Sequence, residues 1–452
     1  MSFSKDFIWG VATAAYQIEG AAYEDGRGLS VWDMFCKQDG RVFEGHTGDI
    51  ACDHYHRYKE DVALMSTLGV KEYRFSISWP RIFPEGTGKV NAKGVQFYNN
   101  LINELLKHNI IPCITLYHWD YPYALYKKGG WLNSDSPLWF SEYAKFVAET
   151  FGDRVKKFIT FNEPQCFIGR AFDGTIHAPG VKMMRGEVLE MAHNVMLGHG
   201  LAVQAMRAVV SGSIIGYAPT SEISMPATNS VADIEAARKK YFSVPKDDEG
   251  LWYWSSSWWS DPVMLGKYPE DGLAIMEPYL GFIKTNDFKT ICQPLDFYGQ
   301  NIYRGHKVRA TDNGYERLKT KPGAPKSAFD WYLDEECLYW GTKFLYERYG
   351  LPIVITENGL SCHDAVSLDG KVHDPNRIDY VQRQLRQISR AIDDGVNVAG
   401  YYHWSFMDNF EWAKGYHERF GLVYVDYETR ERTPKDSFAW YKKVIETTGD
   451  II

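Results

Sequence analysis

Two glutamates stand at the ends of short apolar runs that are typical of β-strands. Glu163 follows the run Ile159–Asn162, and Glu357 follows the run Ile353–Thr356. A strand that ends on a carboxylate presents it at the rim of a sheet, where enzymes often carry out chemistry. Two carboxylates on different strands can act across one bond, one as a proton donor and the other as a base or nucleophile. This pair is the minimum equipment for hydrolysing a glycosidic bond.

The elements that would position these glutamates alternate between strands and helices. Helical spacing of apolar residues predicts helices over Val95–Lys107, Ser141–Phe151 and Val188–Val209. Eight strands are predicted, at Phe7–Ala14, Glu72–Ser78, Ile111–Tyr117, Lys157–Asn162, Ser213–Ala218, Leu295–Asn301, Pro352–Thr356 and Val398–Trp404.

Eight strands, each followed by a helical crossover, favour an α/β fold with one (β/α)8 TIM barrel. No change of composition divides residues 1–452, so we expect a single domain whose long βα-loops form the active-site cleft. An open doubly wound sheet is the alternative, although the glycine-rich phosphate loop that usually follows its first strand is missing.

A barrel would bring several polar and aromatic side chains together at the carboxyl ends of its strands. Carboxylate, amide, imidazole and indole groups together are typical of a site that binds a polyol. The residues are Gln17, Arg74, His118, Trp119, Asn162, Glu163, Asn301, Tyr303, Glu357 and Trp404.

The two carboxyls need different protonation states for this chemistry. One must be protonated near neutral pH to assist the leaving oxygen, while the other stays ionised. Burial and mutual repulsion raise the pKa of one carboxyl, and a nearby cation or hydrogen-bond donor holds the other down. Arg74 and the hydroxyl of Tyr303 are candidates for the second role.

The composition argues against several classes of function. The net charge is −8 and no basic block occurs, which argues against a nucleic-acid binder. No stretch reaches the ~18 apolar residues of a membrane span, and the N-terminus lacks the apolar region of a signal peptide. The seven cysteines are scattered, as free thiols of a reducing compartment would be, so we expect a cytoplasmic protein. Whether it is a monomer or a homo-oligomer stays open.

One pair of histidines could suggest a metal site. His54 and His56 are two positions apart, and on a helix such residues do not face each other. No further ligand is spaced to help them. We therefore expect neither a metal ion nor a cofactor.

A series of motifs, in order along the chain, resembles glycoside hydrolase family 1, the β-glucosidases and their relatives. The resemblance runs essentially end to end. Its motifs here are Phe7–Ala14 with Gln17–Gly20, Tyr73–Trp79, His118–Asp120, Thr160–Pro164, Asn301–Tyr303, Thr356–Gly359, Trp404–Trp412 and Arg419–Asp426.

The resemblance implies a retaining exo-β-glycosidase and a role for each matching residue. Glu163 would be the acid/base and Glu357 the nucleophile that forms a covalent glycosyl-enzyme, with the carboxyls roughly 5–5.5 Å apart. Arg74, Asn301 and Tyr303 would support the nucleophile. The implied sugar-binding residues are Gln17, His118, Trp119, Asn162, Trp404, Glu411, Trp412 and Phe420, and the implied aglycone-side residues are Trp331 and Thr220.

Within the resemblance, Glu411 separates two substrate classes. A phosphoglycosidase typically has a small polar residue at this position, because a carboxylate would repel a 6-phosphate. We therefore expect β-glucosides or short oligosaccharides as substrates, with side activity on β-galactosides and β-fucosides and with transglycosylation. A 6-phospho-β-glucosidase and a non-catalytic sugar-binding barrel are the alternatives. The segment Tyr332–Leu338 and the loop Pro219–Ser221 depart from the family pattern, which leaves the aglycone open.

Overall fold

Eight parallel strands form a closed barrel in this structure, a computed structural model that describes residues 3–246 and 250–452. The strands of these residues, in chain order, are β1 (Ile8–Ala12), β2 (Glu72–Ser76), β3 (Ile111–Tyr117), β4 (Lys157–Asn162), β5 (Ile214–Ala218), β6 (Ile223–Pro226), β7 (Phe297–Asn301), β8 (Gly305–Thr311), β9 (Gly314–Arg317), β10 (Ile353–Asn358), β11 (Val398–Trp404), β12 (Val423–Val425) and β13 (Arg432–Pro434). Around the barrel the order is β1, β11, β10, β7, β5, β4, β3 and β2, and β1 pairs with β2 to close it.

The closed parallel barrel confirms the predicted (β/α)8 fold, and the open doubly wound alternative is wrong. All eight predicted strands are present, and the two that carry the glutamates are β4 and β10. Residues 1–2 and 247–249 of the predicted domain lie outside the described residues.

The helices of the described chain lie between the strands. They are α1 (Ala15–Ile18), α2 (Val31–Phe35), α3 (His54–Leu68), α4 (Trp79–Ile82), α5 (Ala92–Lys107), α6 (Tyr123–Tyr126), α7 (Ser136–Phe151), α8 (Arg185–Val209), α9 (Val231–Phe242), α10 (Ser256–Leu265), α11 (Glu270–Met276), α12 (Asp287–Ile291), α13 (Cys337–Tyr349), α14 (Pro375–Asp393) and α15 (Asp436–Glu446). A π-helix covers Gln165–Asp173, and short 3₁₀ turns cover Phe43–Gly45, Gly130–Leu132, Trp252–Trp254, Glu277–Tyr279 and Trp412–Lys414.

The three helices predicted from apolar spacing are confirmed as α5, α7 and α8, and their C-terminal residues agree with the prediction. Each begins earlier than predicted, by three residues in α5 and α8 and by five in α7. None of the helices in the described part of the chain combines the length and the apolar character that crossing a bilayer requires.

The long βα-segments contribute a second, smaller sheet beside the barrel. β6, which follows β5, pairs in parallel with β8, which follows β7, and β9 pairs antiparallel with β8. The predicted long loops after these strands therefore contain regular structure of their own.

The strand register is irregular at both glutamate-bearing strands. Between β4 and β5 the pairing shifts between Ile159 and Asn162. Between β10 and β7 it shifts between Ile355 and Glu357, and Glu357 then pairs with Asn301. Irregularities of this kind re-aim side chains and are common beside active sites. Both shifts lie immediately before the residues that point into the cavity.

Gly359 allows β10 and β11 to approach closely where β10 ends. The φ of this glycine lies outside the left-handed region, so a positive φ does not explain why a glycine stands here. A Cβ at this position would lie 1.8 Å from the Trp404 carbonyl oxygen and 3.0 Å from its carbonyl carbon. The glycine is therefore required because main-chain atoms of the neighbouring strand occupy the space.

Gly359→Ala is expected to lower the free energy of unfolding by about 1–3 kcal/mol, because the added methyl group must displace main-chain atoms of Trp404. Chemical denaturation at equilibrium measures this change. Gly281 is the matched control, since a Cβ there meets no atom within 4 Å and its φ is not in the left-handed region. Gly281→Ala should change the unfolding free energy by less than about 0.5 kcal/mol. Equal effects of the two substitutions would contradict the close-approach explanation.

Candidate active site

The two glutamates lie at the same end of the barrel and line one cavity of about 620 Å³. Glu357 is the penultimate residue of β10, and Glu163 follows β4 directly. The residue before a proline is disfavoured in the right-handed helical region, and Glu163, before Pro164, has a φ of +48°. Left-handed backbone is uncommon for a residue with a side chain and is often found at functional sites. Glu163 and Glu357 are 7% and 3% exposed, so both carboxyls are largely removed from water.

Arg74 on β2 supplies a buried positive charge beside Glu357. Its Nη1 donates to Glu357 Oε1 at 2.8 Å and to the Thr356 carbonyl oxygen at 2.8 Å. Nη2 donates to Asn162 Oδ1 at 2.6 Å, and Nε donates to Thr115 Oγ1 at 3.0 Å. The guanidinium is thus held by groups from β3, β4 and β10 and cannot swing away from the carboxylate.

Glu357 accepts a second strong hydrogen bond from Tyr303, whose Oη lies 2.7 Å from Oε2. Burial raises the pKa of Glu357 to about 7, and the charge of Glu163 adds to this, while Arg74 and Tyr303 lower it. Desolvation penalises the charged form, whereas donors and cations favour it. Both oxygens of Glu357 are therefore held by groups that stabilise its ionised form.

Glu163 receives weaker support. Asn301 Nδ2 donates to its Oε1 at 2.7 Å, and the Cys166 thiol donates to its Oε2 at 3.1 Å. Burial raises the pKa of Glu163, and these two contacts oppose that effect only in part. Neutral amide and thiol donors stabilise a carboxylate less than a guanidinium does.

The unequal partners decide where a shared proton resides. Two carboxyls in one cavity of low polarity do not readily ionise together, so the pair retains one proton up to near neutral pH. Because the guanidinium of Arg74 and the phenol of Tyr303 both contact Glu357, these contacts favour ionisation of Glu357 over that of Glu163. This arrangement provides one neutral acid and one carboxylate in the same cavity.

His118 and Asn162 form the next contact outward from Arg74. Asn162 Nδ2 lies 3.0 Å from His118 Nε2, which accepts the hydrogen bond, so the ring proton is on Nδ1. Burial, followed by the charge of Arg74, lowers the pKa of His118 well below its ordinary value. His118 is therefore neutral, and within the described residues its Nδ1 has no hydrogen-bond partner. That N–H is available to donate to a ligand.

Gln17 lies behind Glu411 and contacts it. Its Nε2 lies 2.9 Å from Asn409 Oδ1, 2.9 Å from the Phe410 carbonyl oxygen and 3.4 Å from Glu411 Oε2. Its Oε1 is buried and, in the part of the chain that the structure describes, has no partner. The same side chain can therefore support Glu411 and still accept a hydrogen bond.

Glu411 is the third carboxyl of the cavity. Burial raises its pKa well above the ordinary value, and the nearby carboxyls of Glu418, Glu357 and Glu163 add to this, while Gln17 lowers it. A protonated carboxyl can donate one hydrogen bond and accept others, which suits neighbouring hydroxyls of a polyol.

Aromatic rings form the walls around these polar groups. The His118 ring lies 5.7 Å from that of Trp404 and 5.8 Å from that of Trp412, nearly parallel to both. Trp119 lies 4.5 Å from Trp412, and its Nε1 donates to the Asn162 carbonyl oxygen at 2.8 Å. Flat apolar faces next to polar edges suit a sugar ring.

A second aromatic group lies on the other side of Tyr303. The Tyr303 ring is 5.4 Å from that of Trp331 and 6.0 Å from that of Phe420. Phe329 lies against Trp331, with ring centroids 4.3 Å apart. These rings are partly exposed apart from Phe420, so they form a more open section of the cavity.

The predicted site residues divide into those that line the cavity and those behind it. The cavity is lined by Glu163, Glu357, Tyr303, His118, Trp119, Trp404, Glu411, Trp412, Phe420, Trp331 and Thr220. Gln17, Arg74, Asn162 and Asn301 lie behind its surface, each fully or almost fully buried. All fifteen belong to one connected region, and none is remote from it.

Sequence reasoning missed several residues that the fold brings to the cavity. The nearest to the glutamates is Cys166, and Arg170, Trp254, Arg304 and Phe329 also line it. They lie on βα-segments and carry no spacing signal that would mark them. Among the described residues, no group of three or more His, Cys, Asp or Glu is placed to hold a metal ion.

Known proteins resemble this chain along nearly its whole length. The model of the family described as Glycosyl hydrolase family 1 matches residues 1–450. A 1,4-beta-D-glucan glucohydrolase from Thermotoga neapolitana is 45% identical over 451 residues, with 99% of each chain covered. A bifunctional beta-D-glucosidase/beta-D-fucosidase from Bifidobacterium breve is 39% identical over 471 residues, with 98% of each covered. A solved beta-glucosidase from Thermotoga maritima in complex with deoxynojirimycin has a TM-score of 0.90 and 43% identity, with 99% of each chain covered.

Tyr303→Phe is expected to raise the pKa of Glu357 further, by roughly one pH unit, because it removes a hydroxyl that favours the ionised form. Infrared difference spectroscopy, or NMR of labelled glutamate carboxyls, would follow the titration of Glu357 between about pH 4 and about pH 9. Tyr23→Phe is the control, since exposed Tyr23 donates to Asp49 at 3.3 Å. An unchanged Glu357 titration in Tyr303→Phe would mean that Tyr303 does not favour the carboxylate.

Proposed function

The chain belongs to glycosyl hydrolase family 1 and is an O-glycosyl hydrolase of the β-glucosidase type, and from this premise we propose that it removes terminal β-D-glucosyl residues with retention of configuration. The observation that carries the proposal is the inequality of the two carboxyls in one cavity. Glu357 is held by Arg74 and Tyr303, whereas Glu163 is held by a neutral amide and a thiol. One carboxyl is thus suited to attack and the other to donate a proton.

In the first step, a carboxylate oxygen of Glu357 forms a bond to the anomeric carbon while the bond to the leaving oxygen breaks. Glu163 gives its proton to that oxygen, and the positive charge that develops on the sugar is opposed by the remaining carboxylate charge. Arg74 and Tyr303 keep Glu357 ionised and oriented until the bond forms. The products of this step are a covalent glycosyl-enzyme and the free aglycone.

In the second step, the now ionised Glu163 takes a proton from water, and the water oxygen displaces Glu357 from the anomeric carbon. Two inversions give overall retention. Once Glu357 is esterified, its charge no longer raises the pKa of Glu163, so the latter can act as a base. An alcohol in place of water would give transglycosylation by the same route.

The sugar itself would be held by the buried groups around the pair. We assign the 2-hydroxyl of the sugar to Asn162 and the 3-hydroxyl to Trp412. The outer hydroxyls are assigned to Gln17, His118 and Glu411. Trp404 would form the platform beneath the ring, with Trp119 and Phe420 completing the walls. The neutral His118 with its free Nδ1–H, the open acceptor of Gln17 and the raised pKa of Glu411 support this assignment, because a polyol needs both donors and acceptors.

Side activity on β-fucosides and β-galactosides is part of the proposal. The Bifidobacterium breve relative carries both glucosidase and fucosidase in its name. A β-fucoside is a β-galactoside without the 6-hydroxyl. It would therefore lose a hydrogen bond that we assign to Glu411. A sugar-binding barrel without catalysis is disfavoured because both glutamates are present in one cavity. The seven free cysteines support a reducing, cytoplasmic location.

Azide rescue tests the roles of the two glutamates. Glu357→Ala should lower turnover of an activated aryl β-glucoside by at least about 10⁴-fold, because no covalent intermediate can form. Added azide should restore turnover and give the inverted α-glucosyl azide. Glu163→Ala should lose about 10²–10⁴-fold on poor leaving groups, and azide should give the retained β-glucosyl azide. Swapped product configurations would reverse the two roles.

A 6-phosphorylated substrate should be poorly used. We assign the outer hydroxyls of the sugar partly to Glu411, and the nearby carboxyl of Glu418 already disfavours a second negative charge at that position, so a 6-phosphate there would be repelled. We expect kcat/KM for 4-nitrophenyl 6-phospho-β-glucoside to be at least about 100-fold below that for 4-nitrophenyl β-glucoside, a difference of about 2.7 kcal/mol. Comparable values would instead support the phosphoglycosidase alternative.

A further inference from the structure

Four cationic side chains line the cavity outside the group that we assign to the sugar. They are Arg41, Arg170, Arg304 and Lys414. The protein as a whole carries a net charge of −8, so this concentration of positive charge is not a consequence of composition. Arg41 donates to the carbonyl oxygens of Thr175 and Gly180, and among the described residues none of the four has a carboxylate within ion-pair distance. They are therefore available to an anion that enters the cavity.

Arg170 lies on the π-helix Gln165–Asp173, which follows the acid/base candidate directly. Its Nε is buried without a hydrogen-bond partner in the described part of the chain. The guanidinium carbon lies 5.9 Å from the centre of the Trp254 ring. Its charge also acts on Glu163, which lowers the pKa of that carboxyl against the effect of burial. Arg170 thus stands on the side of the cavity from which the proton is given to the leaving group.

Arg304 follows Tyr303 in the sequence and lines the same cavity. Its guanidinium carbon is 5.6 Å from the centre of the Trp331 ring, which itself packs against Phe329. Lys414 lies over the Phe329 ring at 5.4 Å. Cations on aromatic faces are partly desolvated, and an incoming anion replaces less water when it pairs with them.

The carboxylates in this part of the cavity already have partners. Glu222 accepts from Arg317 at 2.8 Å and lies 3.6 Å from His306 Nδ1. Glu44 lies 3.6 Å from His46 at the exposed edge. The pKa of Glu222 is lowered against the effect of burial, because His306 and then the charge of Arg304 favour its ionised form, although Glu222 and Arg304 form no direct ion pair among the described residues. Positive charge and flat apolar surface therefore coincide, and we name the part of the cavity lined by Arg170, Trp254, Arg304, Phe329 and Trp331 the outer cavity.

We propose that the outer cavity binds aromatic aglycones that carry a carboxylate, so that β-glucosides of phenolic acids are preferred substrates. This inference rests on the proposed β-glucosidase function and adds the aglycone class to it. Trp254, Trp331 and Phe329 supply faces for the aromatic ring, and the guanidinium groups of Arg170 and Arg304 each carry the fork of N–H donors that suits a carboxylate. The inner site is acidic and the outer cavity is basic, so the charged end of such a substrate is directed away from Glu357.

The test compares two substrates that have the same shape and different charge. They are the β-D-glucosides of 4-hydroxybenzoate and of 4-hydroxybenzamide, with release of each phenol followed by chromatography. Because the two leaving groups differ in basicity, the quantity of interest is the acid-to-amide ratio of kcat/KM, compared between enzymes. We expect the double substitution Arg170→Gln with Arg304→Gln to lower this ratio by about tenfold, through loss of two charge-assisted contacts.

Arg309→Gln provides the matched control. Arg309 lies on β8 outside the cavity, where its nearest carboxylate is Glu316 at 3.9 Å, so its removal should leave the ratio unchanged. A ratio that stays within about twofold of the wild-type value in the double variant would overturn the proposal.

Salt dependence of the wild-type enzyme gives a second measurement that needs no variant. Raising NaCl from about 0.02 M to about 0.5 M should lower kcat/KM for the acid several-fold and leave the amide unaffected, because only the charged substrate is screened. Equal salt responses would also overturn the proposal.

Hydrolysis of 4-nitrophenyl β-glucoside tests the proposed function separately from the assignment of the aglycone. Its absence refutes the proposed function, whereas its presence without a charge effect refutes only the assignment of the aglycone.

Discussion

The buried guanidinium of Arg74 determines the geometry of the whole site. It donates to Glu357, to the Thr356 carbonyl and to Asn162 Oδ1, so the Asn162 amide can turn only its NH₂ group toward His118. The imidazole must then accept on Nε2 and carry its proton on Nδ1. Asn301 donates to the same Asn162 oxygen and to Glu163. One cation thus favours the ionised form of Glu357 and fixes the orientation of two amides and the tautomer of a histidine.

The contacts of Arg74 also contribute to the stability of the barrel. A buried cation without its partners would leave an uncompensated charge, which typically costs about 3–5 kcal/mol. Four acceptors from three strands prevent that outcome, and they also tie β2 to β3, β4 and β10 at the carboxyl end of the barrel. Binding geometry and local stability therefore depend on the same contacts. The charge pattern changes outward from Arg74, from a cluster of carboxyls to cations that lie beside aromatic rings.

The sequence was sufficient to predict the barrel and the two glutamate-bearing strands, because β4 and β10 are short apolar runs that end in polar residues, and the ends of parallel strands lie at one rim. It was insufficient where tertiary approach decides. Gly359 is needed for the closeness of the Trp404 carbonyl and not for its φ, which no local pattern reveals. Cys166, Arg170 and Arg304 reach the cavity through the path of long βα-segments, which residue spacing does not encode. The sequence also does not distinguish the residues that are buried behind the cavity surface from those that line it. The buried residues are Gln17, Arg74, Asn162 and Asn301.

The backbone around the sugar-binding walls is held in conformations that bulky residues rarely adopt. Trp119, Glu163 and Trp412 have φ values of +79°, +48° and +52°. Each such residue costs about 1–3 kcal/mol unless its surroundings compensate. Trp119 and Trp412 pack against each other at 4.5 Å, and the Trp119 indole donates to the carbonyl immediately before Glu163. The burial of two large indoles is worth several kcal/mol, at about 25 cal/mol per Å² of apolar surface. The same rings that form the walls therefore also offset the strain in the backbone at Glu163. Replacing Trp119 or Trp412 by a smaller residue would therefore both change the shape of the wall and loosen the backbone at Glu163.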